Sequence, residues 1–310
     1  MRMSHRLGSI ALAFAAMVIL PAMQHAHASA QRTFVASTGN DTHPCSLTQP
    51  CRSFTAAIAQ TFDSGEVIVL DWAGYGPMTI TKRLSIIAPP GVYAGISVGV
   101  GQTGVLINAA NIDVTLRGLS INSTGGDAGI AMANRAMLVI ENCVISNFID
   151  GIGVKIQTGA TVNISNTVIR NTQVGITAGF GATVNVANSH VLGVSSEGIL
   201  ITGASAATTN MYIVDTVVTG VAGFANCIDN FAGGPGAGNI SATRVTVSGC
   251  NYSFINETAG GGTMIVSNSM ATGNVIGFGN ASGVFRSLGT NHVSGNGTDK
   301  TGTITVIPQS

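Results

Sequence analysis

The sequence is poor in charge. Asp, Glu, Lys and Arg make up 8% of its 310 residues, and acidic and basic residues balance at thirteen each. No stripe of Lys and Arg is present to neutralise phosphates, which argues against a nucleic-acid partner. Histidine is scarce beyond residue 30: only His43, His190 and His292 remain, too far apart in the chain to suggest a triad or a metal centre. No two aspartates are adjacent, and the other carboxylates are mostly solitary. Aromatic residues are 5% of the chain, with one tryptophan, Trp72. Beyond the first thirty residues there is no long apolar run. The stretch 84–107 is broken by Pro89, Pro90 and several glycines, so no membrane span is expected in the mature chain. Low charge alongside 45% hydrophobic residues also excludes the composition of disordered chains.

Residues 1–30 are the exception. Arg2 and Arg6 precede the apolar run LGSIALAFAAMVIL, and Ala-Ser-Ala at 28–30 forms a small-residue cleavage site. That is the pattern of an export signal. Cleavage after Ala30 would leave Gln31 first. Removing Arg2 and Arg6 leaves eleven basic residues against thirteen acidic, a formal charge of −2. The expectation is a soluble protein, secreted or periplasmic.

What the chain has in abundance is glycine, 41 residues, together with a repeat. Four lines between 114 and 199 share one order: apolar-x-apolar, a turn residue, a small residue, x, apolar, a short loop, then Gly-Ile. Their first apolar column is Leu116, Ile140, Ile164 and Val186, at steps of 24, 24 and 22 residues. A period of this length built from short alternating strands marks a stacked solenoid, in which each line buries its apolar face only through its neighbours. Gly118, Asn142, Asn166 and Asn188, continued by Asp215 and Asn268, fall at one corner, where a left-handed backbone suits Gly, Asn and Asp. Asn side chains stacked there could hydrogen-bond along the axis, a ladder that Arg244 would break. Leu119, Cys143, Thr167 and Ser189 should point inward, as should Ile121, Ile145, Ile169 and Val191. The Gly-Ile column reads Ile130, Ile152, Ile176 and Ile199, then loosely Ile228, Phe254 and Phe278.

These columns resemble the parallel β-helix of the pectate-lyase-like superfamily, over roughly 66–305. The resemblance implies an all-β chain: a single right-handed parallel β-helix with about three strands per coil. The frame of Val35, Gly39, Asp41, Pro44, Pro50, Phe54 and Ile58 is similar to the opening of bacterial β-helix proteins that act on polysaccharides, and implies a short N-terminal capping helix. Ser53 is a fitting N-cap, with Phe54, Ala57 and Ile58 on one face. The domain reading is a signal peptide at 1–30, a cap segment at 31–65 and a β-helix at 66–310. Within it, 283–297 looks degenerate and 303–308 would close the far end.

The scaffold carries several chemistries, so function must be argued from residues. The resemblance points to the outer face of the Gly-Ile strand, where alternation places Ala131, Gly153, Thr177, Leu200, Asp229, Ile255 and Gly279 outward. The strongest candidates for chemistry are Asp127, Asp150 and Glu197, just before that column, with Arg170 and Lys155 nearby in sequence. At about 4.8 Å per rung, Asp150 and Glu197 would stand roughly 10 Å apart. That is at the long edge for an inverting acid/base pair, about 6.5–9.5 Å. The leading expectation is therefore a non-catalytic β-helix with a structural, surface-binding or polysaccharide-binding role, needing no cofactor and no metal. The rival is a polysaccharide lyase or glycoside hydrolase. Trp72 is either a sugar-stacking residue or, more in keeping with its neighbourhood, packed against the capped end.

Two further expectations concern the exterior and the thiols. The outward row Ser120, Val144, Val168, His190, Val217, Thr246 and Met270 is apolar enough that a loop, a terminal segment or a second copy should cover it. Five cysteines in an exported chain leave one unpaired. Cys45 pairs locally with Cys51 across Pro50, Cys227 meets Cys250 across adjacent rungs, and Cys143 stays free as an inward filler.

Overall fold

The computed structural model describes residues 30–179, 181–203, 206–221, 223–258 and 261–308. The expected export signal therefore lies outside the described residues except for Ala30, which opens the first strand, Ala30–Val35. The strands that follow pair in parallel, each with the strand one coil later, in three ladders. Among the described residues no helix is long and apolar enough to cross a membrane.

The first ladder is built on the first apolar column. Leu116, Ile140, Ile164, Val186, Ile213, Ala242 and Val266 stand directly above one another, each at most 1% exposed. Each coil then turns at a left-handed residue: Gly118 (φ 74°), Asn142 (53°), Asn166 (49°), Asn188 (48°), Asp215 (50°) and Asn268 (48°). The hydrogen bonds along this corner are made by backbone, for example Asn142 N–H to Ser165 O at 3.2 Å and Asn166 N–H to Ala187 O at 3.2 Å. Stacked amide side chains occur elsewhere, in Asn122–Asn147–Asn171 and in Asn230–Asn256–Asn280. Arg244 does not break the corner. It adopts φ 54° and reaches one rung back to Asp215 with bonds of 2.6 and 2.8 Å.

The second ladder starts on the inward column Leu119, Cys143, Thr167 and Ser189, which is buried as expected. Polar residues are tolerated there because each closes a local bond. Thr167 Oγ1 donates to Ser165 O at 3.0 Å, Ser189 Oγ to Ala187 O at 2.8 Å, and Cys143 Sγ to Glu141 O at 3.3 Å. Buried hydroxyls satisfied in this way carry little penalty. Behind them pack Ile121, Ile145, Ile169 and Val191. The outward row from Ser120 to Met270 is in register rung by rung. It is half-exposed, with His190 and Met270 out in solvent, so the cover expected for it is not provided by the described residues.

The third ladder depends on glycine. A Cβ at Gly129 would stand 2.7 Å from Gly153 O, one at Gly153 2.6 Å from Gly175 O, and one at Gly175 2.4 Å from Gly198 O. Side chains of Ile145, Ile169 and Val191 fill the remaining space at 2.5–2.6 Å. This close approach corrects the sequence-based column in one rung. Ile130 pairs with Val154, and Ile152 pairs with Ala128. Of two Gly-apolar pairs two residues apart, Gly153-Val154 enters the stack, because only that choice aligns Gly153 between Gly129 and Gly175. The outward residue there is therefore Lys155, and Gly153 is inside.

The N-terminal end is closed by the helix Phe54–Gln60, whose N-cap Ser53 accepts from Ala56 N–H at 3.2 Å. Phe54, Ala57 and Ile58 are buried beneath it. The strand Ala30–Val35 pairs with Thr61–Val69 and belongs to the solenoid sheet. At the other end, residues 283–288 close a long strand, Ile276–Leu288, which pairs with the last strand, Thr298–Ile307, with a shift of register between Asn280 and Phe285 and a left-handed Gly283 (φ 80°). Cys45 and Cys51 are bonded, with Cα atoms 4.6 Å apart. Cys227 and Cys250 are bonded across rungs at 5.8 Å, and Cys143 is free and buried.

Candidate functional site

The outer face of the third ladder carries, rung by rung, Ala131, Lys155, Thr177, Leu200, Asp229, Ile255 and Gly279. Along this column runs a groove of about 220 Å³ lined by residues including Ile152, Lys155, Gln157, Thr177, Leu200 and Thr202. Beside it, in the loops that enter the ladder, lies a pocket of about 570 Å³ formed by residues including Asp127, Asn147, Ile149 and Asp150. Asp150 is two residues before Ile152, so the two concavities are neighbours along the chain. Ile149 is 60% exposed and supplies an apolar surface beside the two exposed carboxylates.

Asp229 occupies the rung after Leu200, and its environment is unlike that of any other carboxylate described. It is 3% exposed, between Leu200 and Ile255. Its Oδ2 accepts from Asn226 Nδ2 at 3.1 Å, while Oδ1 is buried without a donor. Burial is the main reason its carboxyl is pushed up to about 7. The neighbouring carboxylates of Glu257 and Glu197 push in the same direction, against the Asn226 amide. The chemistry is that of a proton held between like charges and kept there by a low-dielectric surround. Among the described residues no three His, Cys, Asp or Glu side chains are grouped so as to hold a metal ion. The floor beneath is rigid: Asn230 donates to Gly238 O and to Asn256 Oδ1, each at 2.8 Å.

The candidates named from sequence fall in three places. Asp127 and Asp150 come together in the loop pocket. Glu197 opens the strand Glu197–Gly203 in register with Val174 and Asn226, on the side of Asp229. Its level on the ladder is that of Ile152, so Asp150 is displaced from it along the strand as well as by two rungs. Arg170 lies on the second ladder between Ser146 and Leu192, around the corner from the groove. Sequence reasoning placed Asp229 outward without singling it out. The available signal was a lone acid in a sequence-read column otherwise holding Ala, Gly, Thr, Leu and Ile.

A continuous stack of parallel ladders with left-handed corners and a glycine stack defines the protein class: a right-handed parallel β-helix of the pectate-lyase-like type. The family model described as "Right handed beta helix region" matches residues 103–296, and the chain belongs to that family. Among solved structures it is similar to the pectate lyase Pel9A, at 14% identity and a TM-score of 0.68, covering 91% of this chain and 79% of that one. Weaker likenesses are to XylC in complex with xylose (8% identity, TM-score 0.49, 87% and 70% covered) and to a GH136 lacto-N-biosidase from Eubacterium ramulus (11%, 0.43, 89% and 67%). At such identities the likeness is one of fold. No curated protein matches the sequence.

Proposed function

We propose that this chain is an exported, carbohydrate-binding β-helix that holds a polysaccharide segment along the track from the Asp127/Asp150 pocket into the Lys155–Leu200 groove. The observation that carries the reading is the composition of that track. Exposed carboxylates and the Asn147 amide alternate with the apolar surfaces of Ile149, Ile152 and Leu200 in two neighbouring concavities. Sugars present hydroxyls at their edges and C–H groups on their faces, and a shallow site of this mixture suits both. Two disulfides support an oxidising destination, and the pectate lyase with the similar fold makes a polysaccharide the natural ligand class. Affinity electrophoresis through gels containing xylan, β-glucan or polygalacturonate tests this. Retardation by at least one polymer, weakened in an Asp150→Asn/Lys155→Ala double variant, is expected. Migration unaffected by all three, or unchanged by the double substitution, would refute the proposal.

One observation favours a second reading, cleavage of a glycosidic bond: Asp229 keeps a proton near neutral pH, as a general acid must. Against it stands the burial of Asp229, which keeps its oxygens away from any ligand in the groove. Release of reducing or unsaturated ends by the wild type, abolished in Asp229→Asn, would establish cleavage over simple binding.

A further inference from the structure

We propose that Trp72 and Tyr93 form a second carbohydrate platform, on the second ladder, that takes a ring of an uncharged oligosaccharide. The ligand class rests on the reading above, but the surface and its residues are separate from the track.

Trp72 does not pack against the capped end. It is 72% exposed, and Tyr75 takes the packing role, at 1% exposed with its ring 5.3 Å from that of Phe54. Trp72 and Tyr93 immediately precede Ala73 and Ala94, which are paired, and Ala73 N–H donates to Tyr93 O at 3.2 Å. The two aromatics therefore stand on neighbouring rungs, about 4.8 Å apart along the axis. Tyr93 is 50% exposed and its ring lies over Gly95, where a Cβ would come within 2.7 Å of Cε1 and 3.0 Å of Cζ. Glycine there lets the ring lie against the sheet with its other side to solvent.

The backbone that presents Trp72 is held firmly. Asp71 accepts from Ser37 N–H at 2.7 Å, from Ser37 Oγ at 2.6 Å and from Tyr75 OH at 2.5 Å. Arg52 donates to Gly74 O at 2.7 Å and sits 5.6 Å over the Tyr75 ring. A rigid loop spares a ligand the entropy of ordering the site. The charged groups tied to this segment, Arg52 and Asp71, are thus already engaged with protein partners, which favours an uncharged sugar. The built part of the site is two side chains, the scale of a sugar ring rather than of the roughly 800 Å² that a protein partner covers. Aromatic rings with one apolar face open and a polar edge suit the C–H face and hydroxyl rim of a pyranose.

Trp72 is the chain's single tryptophan, so its emission reports on this site alone. Titration of the oxidised protein with cellohexaose and with xylohexaose should give a saturable shift with at least one of them. The apparent affinity should fall about tenfold or more in Tyr93→Ala, as for other aromatic anchors, and stay unchanged in Asp150→Asn. A thermal melt confirms that Tyr93→Ala is folded. An emission spectrum unmoved by both hexamers, or a shift that Tyr93→Ala leaves intact, would overturn the platform. A shift that persists in full in the Asp150→Asn/Lys155→Ala variant, when gel retardation is weakened, would support the platform and separate it from the track.

Discussion

Replacing Asp229 by Asn is the most informative single perturbation of the core of this face. Burial and two neighbouring carboxylates hold the Asp229 carboxyl at about 7, against 3.8 for an unburied Asp. The sign follows from proton counting. Between about pH 4 and 7 the folded protein keeps this proton and the unfolded chain has lost it, so stability falls as pH rises through that window. At about 1.4 kcal/mol per unit the fall amounts to about 4 kcal/mol, and it levels off above pH 7. The amide in Asp229→Asn has the same shape, can still accept from Asn226 Nδ2, and is uncharged at every pH. Guanidinium midpoints measured for wild type and variant from pH 4 to 8 isolate the effect of Asp229 and its interaction with Glu257 and Glu197, because groups remote from it cancel in the difference. The variant should match the wild type near pH 4 and exceed it progressively towards pH 7. A difference that does not change with pH, or a variant less stable than wild type at pH 8, would show that Asp229 is ionised in the fold.

The remaining predictions concern the scaffold. Gly175→Ala would drive a methyl to 2.4 Å from Gly198 O, and overpacking of this kind should lower stability by about 1–3 kcal/mol in a denaturant melt. Removing the Cys227–Cys250 bond, which closes a separation of 23 residues, in a Cys227→Ala/Cys250→Ala variant should cost about 3 kcal/mol by the same assay. Cys143 is buried, and burial pushes its thiol up to about 11. It should resist a thiol reagent at pH 8 in the native protein and react fully on unfolding. Arg244→Val should destabilise the corner more than Arg244→Asn, since a β-branched residue at φ 54° is strained where Asn is not.

The repeat made most of the fold legible. The columns at Leu116 and at Gly118 follow from the twofold alternation of strands and from the left-handed corner, and both are local properties. The cysteine pairing followed from the same columns, since Cys227 and Ser253 share the glycine position one rung apart. The Gly151-Ile152 reading failed because two Gly-apolar pairs fit the local pattern equally, and only the backbone approach of the neighbouring rungs selects between them. Arg244 was misread for a related reason: its ion pair with Asp215 is a contact between coils 29 residues apart. Of the site, the column holding Asp229 was legible, but its protonation depends on burial and on Glu257, which sequence spacing does not reveal. The exposure of Trp72 was equally hidden, because it depends on Tyr75 filling the space under the cap.

Hydroxyl-radical footprinting with and without a saturating polysaccharide tests the central claim most directly. The account predicts loss of oxidation at Ile149, Ile152 and Leu200, with Met270 on the second ladder unchanged. Oxidation of those three residues unaltered at saturation would contradict a glycan track on the third ladder.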